Sequence, residues 1–96
     1  MIIYVDIDGT ICTDENGSYD KAKPVDSQIK KINKLYEEGN TIIYWTARGT
    51  VTGIDWFDLT EKQLNRWGCK YHELKVGTKP HYDLFICDKS KRIEEI

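Results

Sequence analysis

Apolar residues fall into two rhythms along this chain. Ile2 to Val5 is a continuous apolar run, too short for a helix and rich in β-branched residues, which predicts a strand buried on both faces of a parallel sheet. Thr41 to Trp45 is a second such run ending at Thr46, and Asp83 to Cys87 is another ending at Asp88. Lys70 to Leu74 reads as a further strand between them. The helical rhythm begins after Asp26, the expected N-cap, where Ile29, Ile32, Leu35 and Tyr36 recur at helical spacing until Gly39 supplies a stop. Thr60 and Gln63 have the spacing of a capping box ahead of Leu64 and Trp67, predicting a second helix closed by Gly68. Ile93 and Ile96 predict a short terminal helix.

Two polar stretches break these rhythms. Ile11 to Lys23 contains Asn16-Gly17, a favoured hairpin turn, and predicts a short β-flap overhanging the end of the first strand. Ala47 to Asp58 has two glycines and no period, which predicts a loop beside the same strand ends. The resulting order β-α-β-α-β-β-α describes a three-layer α/β/α, Rossmann-like open parallel sheet, with its ligand site beyond the carboxyl ends of the strands. At 96 residues the expectation is a single domain over residues 1–96, with one compact site.

Composition narrows the function classes. With 40% hydrophobic and 31% charged residues the chain has the make-up of an ordinary globular protein. A net charge of −2 lacks the basic footprint of a nucleic-acid binder, so no nucleic-acid partner is expected. No apolar run approaches the ~20 residues that span a bilayer, and Met1 leads into the first strand without a basic segment. A cytoplasmic protein without a membrane partner is expected. Cys12, Cys69 and Cys87 have no C-x-x-C spacing, so neither a disulfide framework nor a zinc site is predicted.

The topology gathers chemistry at one edge. Asp6 and Asp8 follow the first strand, Thr46 the second and Asp88 the last, with Lys79 just ahead of that strand. Clustered carboxylates repel unless a hard cation or a lysine offsets them, and magnesium takes such oxygen ligands together with water and phosphate. Alternate residues of an extended segment point the same way, so Asp6 and Asp8 can address one phosphorus, one attacking it and the other protonating the leaving oxygen. Gly9 would let backbone N–H groups approach phosphoryl oxygens, Thr46 can donate a hydroxyl, and Lys79 can neutralise gathering charge. Arg48 is either a substrate-binding group or an ordinary solvated arginine. His72 and His81 have no metal-ligand spacing.

The D-I-D-G-T after an apolar strand, T-A-R after the second, K-P before the fourth and D-K after it resemble the haloacid dehalogenase-like phosphatases, over nearly the whole chain. W-T-A-R-G, K-P-H-Y-D and the small size look more narrowly like short phosphatases associated with capsular polysaccharide biosynthesis. The resemblance implies that Asp6 is the nucleophile and a metal ligand, and that Asp8 is the acid/base and offers its backbone carbonyl to Mg2+. It also implies that Asp88 holds the metal, and that Gly9, Thr46, Ala47 and Lys79 surround the phosphoryl group. Many relatives end the fourth strand with two adjacent acids, whereas here Cys87 precedes Asp88. No stretch of cap-domain size follows Thr10 or the second strand. The expected activity is magnesium-dependent hydrolysis of a small phosphorylated metabolite, such as a sugar phosphate. The rival readings are a receiver-type phosphoacceptor module and a catalytically inactive scaffold of the same fold. Trp56 and Phe57, large apolar groups in the loop, suggest that the chain self-associates to roof its site.

Overall fold

A computed structural model of the chain describes residues 1–15, 17–48, 55–76 and 84–86. Strands β1 (Ile2–Asp6), β2 (Thr41–Thr46), β3 (Glu73–Val76) and β4 (Leu84–Ile86) form one sheet in the order β3-β2-β1-β4. All three pairings are parallel, with Val5 of β1 facing Tyr44 of β2 on one side and Ile86 of β4 on the other. Helices α1 (Asp26–Glu37) and α2 (Phe57–Arg66) make the crossovers β1 to β2 and β2 to β3. Both crossovers step the same way across the sheet, so the usual right-handed connection puts both helices on one face. Accordingly Ile3, Val5, Ile42, Tyr44 and Leu74 share a core with Ile29 and Ile32 of α1 and Leu64 of α2. Tyr4 and Ile43 alternate onto the opposite face and are also buried, which is why these strands read as unbroken apolar runs.

The element boundaries differ from the sequence expectation where a side chain takes over a backbone group. Asp26 is the first residue of α1 and Val25 its N-cap, without a side-chain bond; the Asp26 carboxylate instead lies in the first turn, where the helix dipole favours negative charge. Gly39, at φ 96°, ends α1 as expected, its N–H bonding the Tyr36 carbonyl. Helix α2 starts at Phe57, whose N–H bonds Asp55 Oδ1 at 2.9 Å, so Thr60 and Gln63 are no capping box. They sit inside the helix, 0% and 1% exposed, and face the protein interior. Strand β3 begins at Glu73 rather than Lys70 because the amide of Asn33 occupies the preceding backbone: Asn33 Nδ2 donates to the Gly68 carbonyl at 3.0 Å, and the Lys70 N–H donates to Asn33 Oδ1 at 2.8 Å.

The flap is partly as expected. Its base is antiparallel, with Thr13 N–H on the Lys23 carbonyl and Val25 N–H on the Ile11 carbonyl, both at 2.9 Å, and a bridge from Cys12 to Pro24. Beyond that base the described residues form no strand; the chain turns instead through a short 3-10 helix, Tyr19–Lys21. Asn16 lies outside the described residues, as do the Gly49 to Ile54 stretch of the loop, Lys79, Cys87, Asp88 and the expected terminal helix. No described helix is long and apolar enough to cross a membrane.

Candidate active site

Strand β1 lies between the two neighbours that the chain reaches in opposite directions, β2 before and β4 after the reversal. A crevice opens beyond the carboxyl ends of strands at such a switch point, and Asp6 is the last residue of β1. Ile7 is fully buried while Asp6 and Asp8 on either side of it are partly exposed, so the alternation that sends Ile7 into the core sends both acids away from it. Asp6 Oδ1 accepts a hydrogen bond from the Ile7 N–H at 2.8 Å, which fixes its rotamer at the strand end.

The loop then folds back sharply. Thr10 and Ile11 N–H groups both bond the Ile7 carbonyl, and the Gly9 N–H bonds the Cys12 carbonyl at 3.0 Å. Gly9 takes φ 81°, a left-handed value that costs little only without a side chain. The N–H of Gly9 itself is used inside the loop, and the glycine's conformational freedom serves the turn.

Asp8 has a partner that its sequence neighbourhood does not announce. Arg48 Nε donates to Asp8 Oδ2 at 2.9 Å and Arg48 Nη2 to Asp8 Oδ1 at 2.7 Å, a bidentate pair between a buried guanidinium and a mostly buried carboxylate. Arg48 is only 2% exposed, and its other donors are equally committed. Nη1 reaches Thr60 Oγ1 at 3.0 Å and Gln63 Oε1 at 2.6 Å, and Nη2 also reaches Cys12 Sγ at 4.0 Å. A guanidinium has five N–H donors, and all of them are thereby directed at protein acceptors. Arg48 is therefore not the ordinary solvated arginine of a loop; its donors point inward.

Thr46, at the end of β2, is buried, and its Oγ1 accepts from the Arg48 N–H at 3.1 Å, which leaves the hydroxyl hydrogen to be donated elsewhere. Ala47 beside it is exposed. Trp56 and Phe57 both have partners within the chain. Trp56 is half-buried and meets the Tyr19 ring edge-on at 5.0 Å, while Phe57 packs on the core. Thr60 and Gln63 are the residues that sequence reading missed. The signal was present in two polar side chains at helical spacing on the face that also carries Leu64, but a capping box accounts for the same letters.

Among the described residues no group of three or more His, Cys, Asp or Glu side chains could hold a metal. The carboxylates at the strand end are Asp6 and Asp8, and Asp8 is already bonded through both oxygens. The described site therefore offers a cation the Asp6 carboxylate and the main-chain carbonyl of Asp8, both hard oxygen donors, and the expected third ligand, Asp88, lies outside the described residues.

Burial and the neighbouring Asp8 charge push the Cys12 thiol up from 9.0 to about 12, against the weaker pull of Arg48. Burial also raises Cys69 to about 11, with Tyr44 acting in the opposite sense. Both thiols are thus inert near neutrality. In the unfolded chain they ionise near their ordinary value, so above about pH 9 the unfolded state releases protons that the native state keeps, and stability falls as pH rises. Tyr44, raised by burial, adds to the same trend. The melting temperature should drop between about pH 8 and pH 10.5, and a Cys12→Ala, Cys69→Ala double variant should drop less. An identical alkaline slope in wild type and variant would assign the loss to other groups.

An open parallel α/β sheet with two acids at and just beyond the end of its switch-point strand defines the class: a Rossmann-like fold. The chain is similar to the crystal structure of a structural-genomics target from Vibrio cholerae, with TM-score 0.79 and 24% identity over 98% of this chain and 85% of that one. It is also similar to D,D-heptose 1,7-bisphosphate phosphatase from B. bronchiseptica, solved with magnesium and phosphate, with TM-score 0.58 and 20% identity. That match covers 85% of this chain and 51% of the phosphatase, so the chain spans about half of its length. No family model matches the sequence, and no curated protein matches it.

Proposed function

We propose that this protein is a magnesium-dependent phosphomonoester hydrolase that works through an aspartyl phosphate on Asp6. The observation that carries the reading is the placement of Asp6 at the carboxyl end of β1, at the switch point of the sheet, with Asp8 just beyond buried Ile7. An Asp6 oxygen would attack phosphorus as the bond to the leaving oxygen breaks, with Asp8 giving that oxygen its proton. Asp8 would then take a proton from the water that cleaves the acyl phosphate, releasing inorganic phosphate and restoring both side chains. Magnesium, held by Asp6, the Asp8 carbonyl and Asp88, would supply positive charge beside the phosphoryl oxygens. Thr46, with its hydroxyl hydrogen still to place, the Ala47 backbone and Lys79 are assigned to the same oxygens.

The bidentate pair adds a condition. Both Asp8 oxygens accept from Arg48, so one must be released, or share its donor, when Asp8 carries a proton. The substrate class we favour is a small sugar phosphate, supported by the fold match to a heptose bisphosphate phosphatase.

The test is phosphate release from a panel of aryl phosphates, sugar phosphates, nucleotides and phosphoproteins, with magnesium and with a chelator. Release that needs the metal and is strongest on a sugar phosphate is expected. An aspartyl phosphate that forms and persists would instead assign a receiver-type module. No phosphorylation and no release would assign an inactive scaffold.

A further inference from the structure

We propose that Arg48 is the positioning residue for Asp8 and that the flap sets this position through Tyr19. The proposal rests on the hydrolase reading for the use made of Asp8; the coupling itself stands on geometry. Removing a guanidinium from water is expensive, and proteins keep one buried only where fixed acceptors replace its hydration. Here the acceptors come from different parts of the chain: Asp8 and Cys12 from the loop after β1, and Thr60 and Gln63 from the inner face of α2.

The flap closes this arrangement into a ring of contacts. The Arg48 guanidinium carbon lies 4.7 Å from the centre of the Tyr19 ring, within the range of a cation–π contact. The same residue is held through its backbone, since Gln63 Nε2 donates to the Tyr19 carbonyl at 2.7 Å. Gln63 Oε1 accepts from Arg48 Nη1 at 2.6 Å, so Arg48, Gln63 and Tyr19 each touch the other two. Trp56, just ahead of α2, meets the same Tyr19 ring edge-on.

One consequence follows for Asp8. At its base the flap touches the carboxylate, where Cys12 Sγ donates to Asp8 Oδ1 at 3.6 Å; through Tyr19 it covers the cation that holds it. When the flap is seated, Arg48 is dry and both Asp8 oxygens are gripped. When the flap lifts, water reaches the guanidinium, competes for its donors and loosens an Asp8 oxygen. A substrate that presses on the flap would in this way alter the freedom of the acid/base group without touching it. The glutamine amide is suited to this junction because it accepts from Arg48 with its oxygen while donating to the flap with its nitrogen. A glutamate there could not do both.

Two measurements test this. The first is exchange of the Arg48 Nε–H proton with water, read by NMR in the wild type, Tyr19→Leu and Tyr19→Phe. Tyr19→Leu should speed exchange by roughly tenfold or more, as expected when a buried bond gains a local opening, while Tyr19→Phe, which keeps the ring, should restore the wild-type rate. Unchanged exchange in Tyr19→Leu would overturn the coupling. The second is turnover of aryl and alkyl phosphates by Arg48→Lys, which keeps the charge but not the fork. A loss about tenfold heavier on alkyl phosphates, whose leaving oxygen needs the proton, marks a defect in placing Asp8. Equal losses on both would reduce Arg48 to a structural role. A wild type without turnover would defeat the hydrolase reading, and the exchange rates would still decide whether the flap governs the Asp8–Arg48 pair.

Discussion

Asp6→Asn is expected to abolish phosphate release, by about 10⁴-fold or more, while leaving the fold intact. The carboxylate is the attacking group in the proposed reaction, and an amide of the same shape has no oxygen nucleophilic enough to displace an alkoxide. Its structural task survives the change, because the amide oxygen can still accept the Ile7 N–H that Asp6 Oδ1 holds at 2.8 Å. Its position at the end of a parallel strand, half-buried and away from the core, gives packing little reason to respond. Circular dichroism should show an unchanged melting curve beside the lost activity. Retention of more than a few per cent of turnover would take Asp6 out of the nucleophile role.

Asp8→Ala is expected to act in the opposite manner, costing about 3–5 kcal/mol of stability in addition to activity, because it strands a buried cation. The Arg48 side chain is fully buried, and Asp8 supplies its only charged partner among the described residues. Thr60, Gln63 and Cys12 are neutral acceptors and cannot replace that charge. For a chain of this size such a loss lowers the melting temperature by more than about 10 °C. The second variant in the test is Asp8→Ala with Arg48→Met. Removing both partners and leaving an apolar group in the space should recover most of the stability and none of the activity. A single Asp8→Ala variant that melts within a degree or two of wild type would show that the pair carries no such weight.

The strands were legible because a parallel sheet covered on both faces needs unbroken apolar runs, and Ile2 to Val5 and Thr41 to Trp45 have no other stable use. The end of the first strand at Asp6 was legible for a related reason, since an acid directly after such a run stops the apolar pattern. What remained hidden depends on contacts distant along the chain. Arg48 looks like a loop arginine until the fold brings Asp8, forty positions earlier, against it. Thr60 and Gln63 satisfy a local pattern, the capping box, whose spacing of three is also that of neighbours on one helix face. The third strand was placed too early because nothing in Lys70 to His72 reveals that Asn33 of α1 holds the backbone there. Local rules therefore succeed where burial is dictated by the element itself and fail where a side chain from elsewhere takes the hydrogen bonds.

The saturated guanidinium of Arg48 also bears on how this fold opens. Its acceptors lie in the loop after β1 and in α2, and the flap ring covers it, so no one of these segments can detach without exposing part of a dehydrated charge. Segments that share such a penalty unfold as one cooperative unit. Backbone amides in the middle of α2 should accordingly exchange with solvent at the same free energy as those at the flap base, although a surface helix of this length would ordinarily fray independently. The loop after β1, the flap and α2 are thus expected to form a single foldon, with the candidate site assembled with all of them or absent.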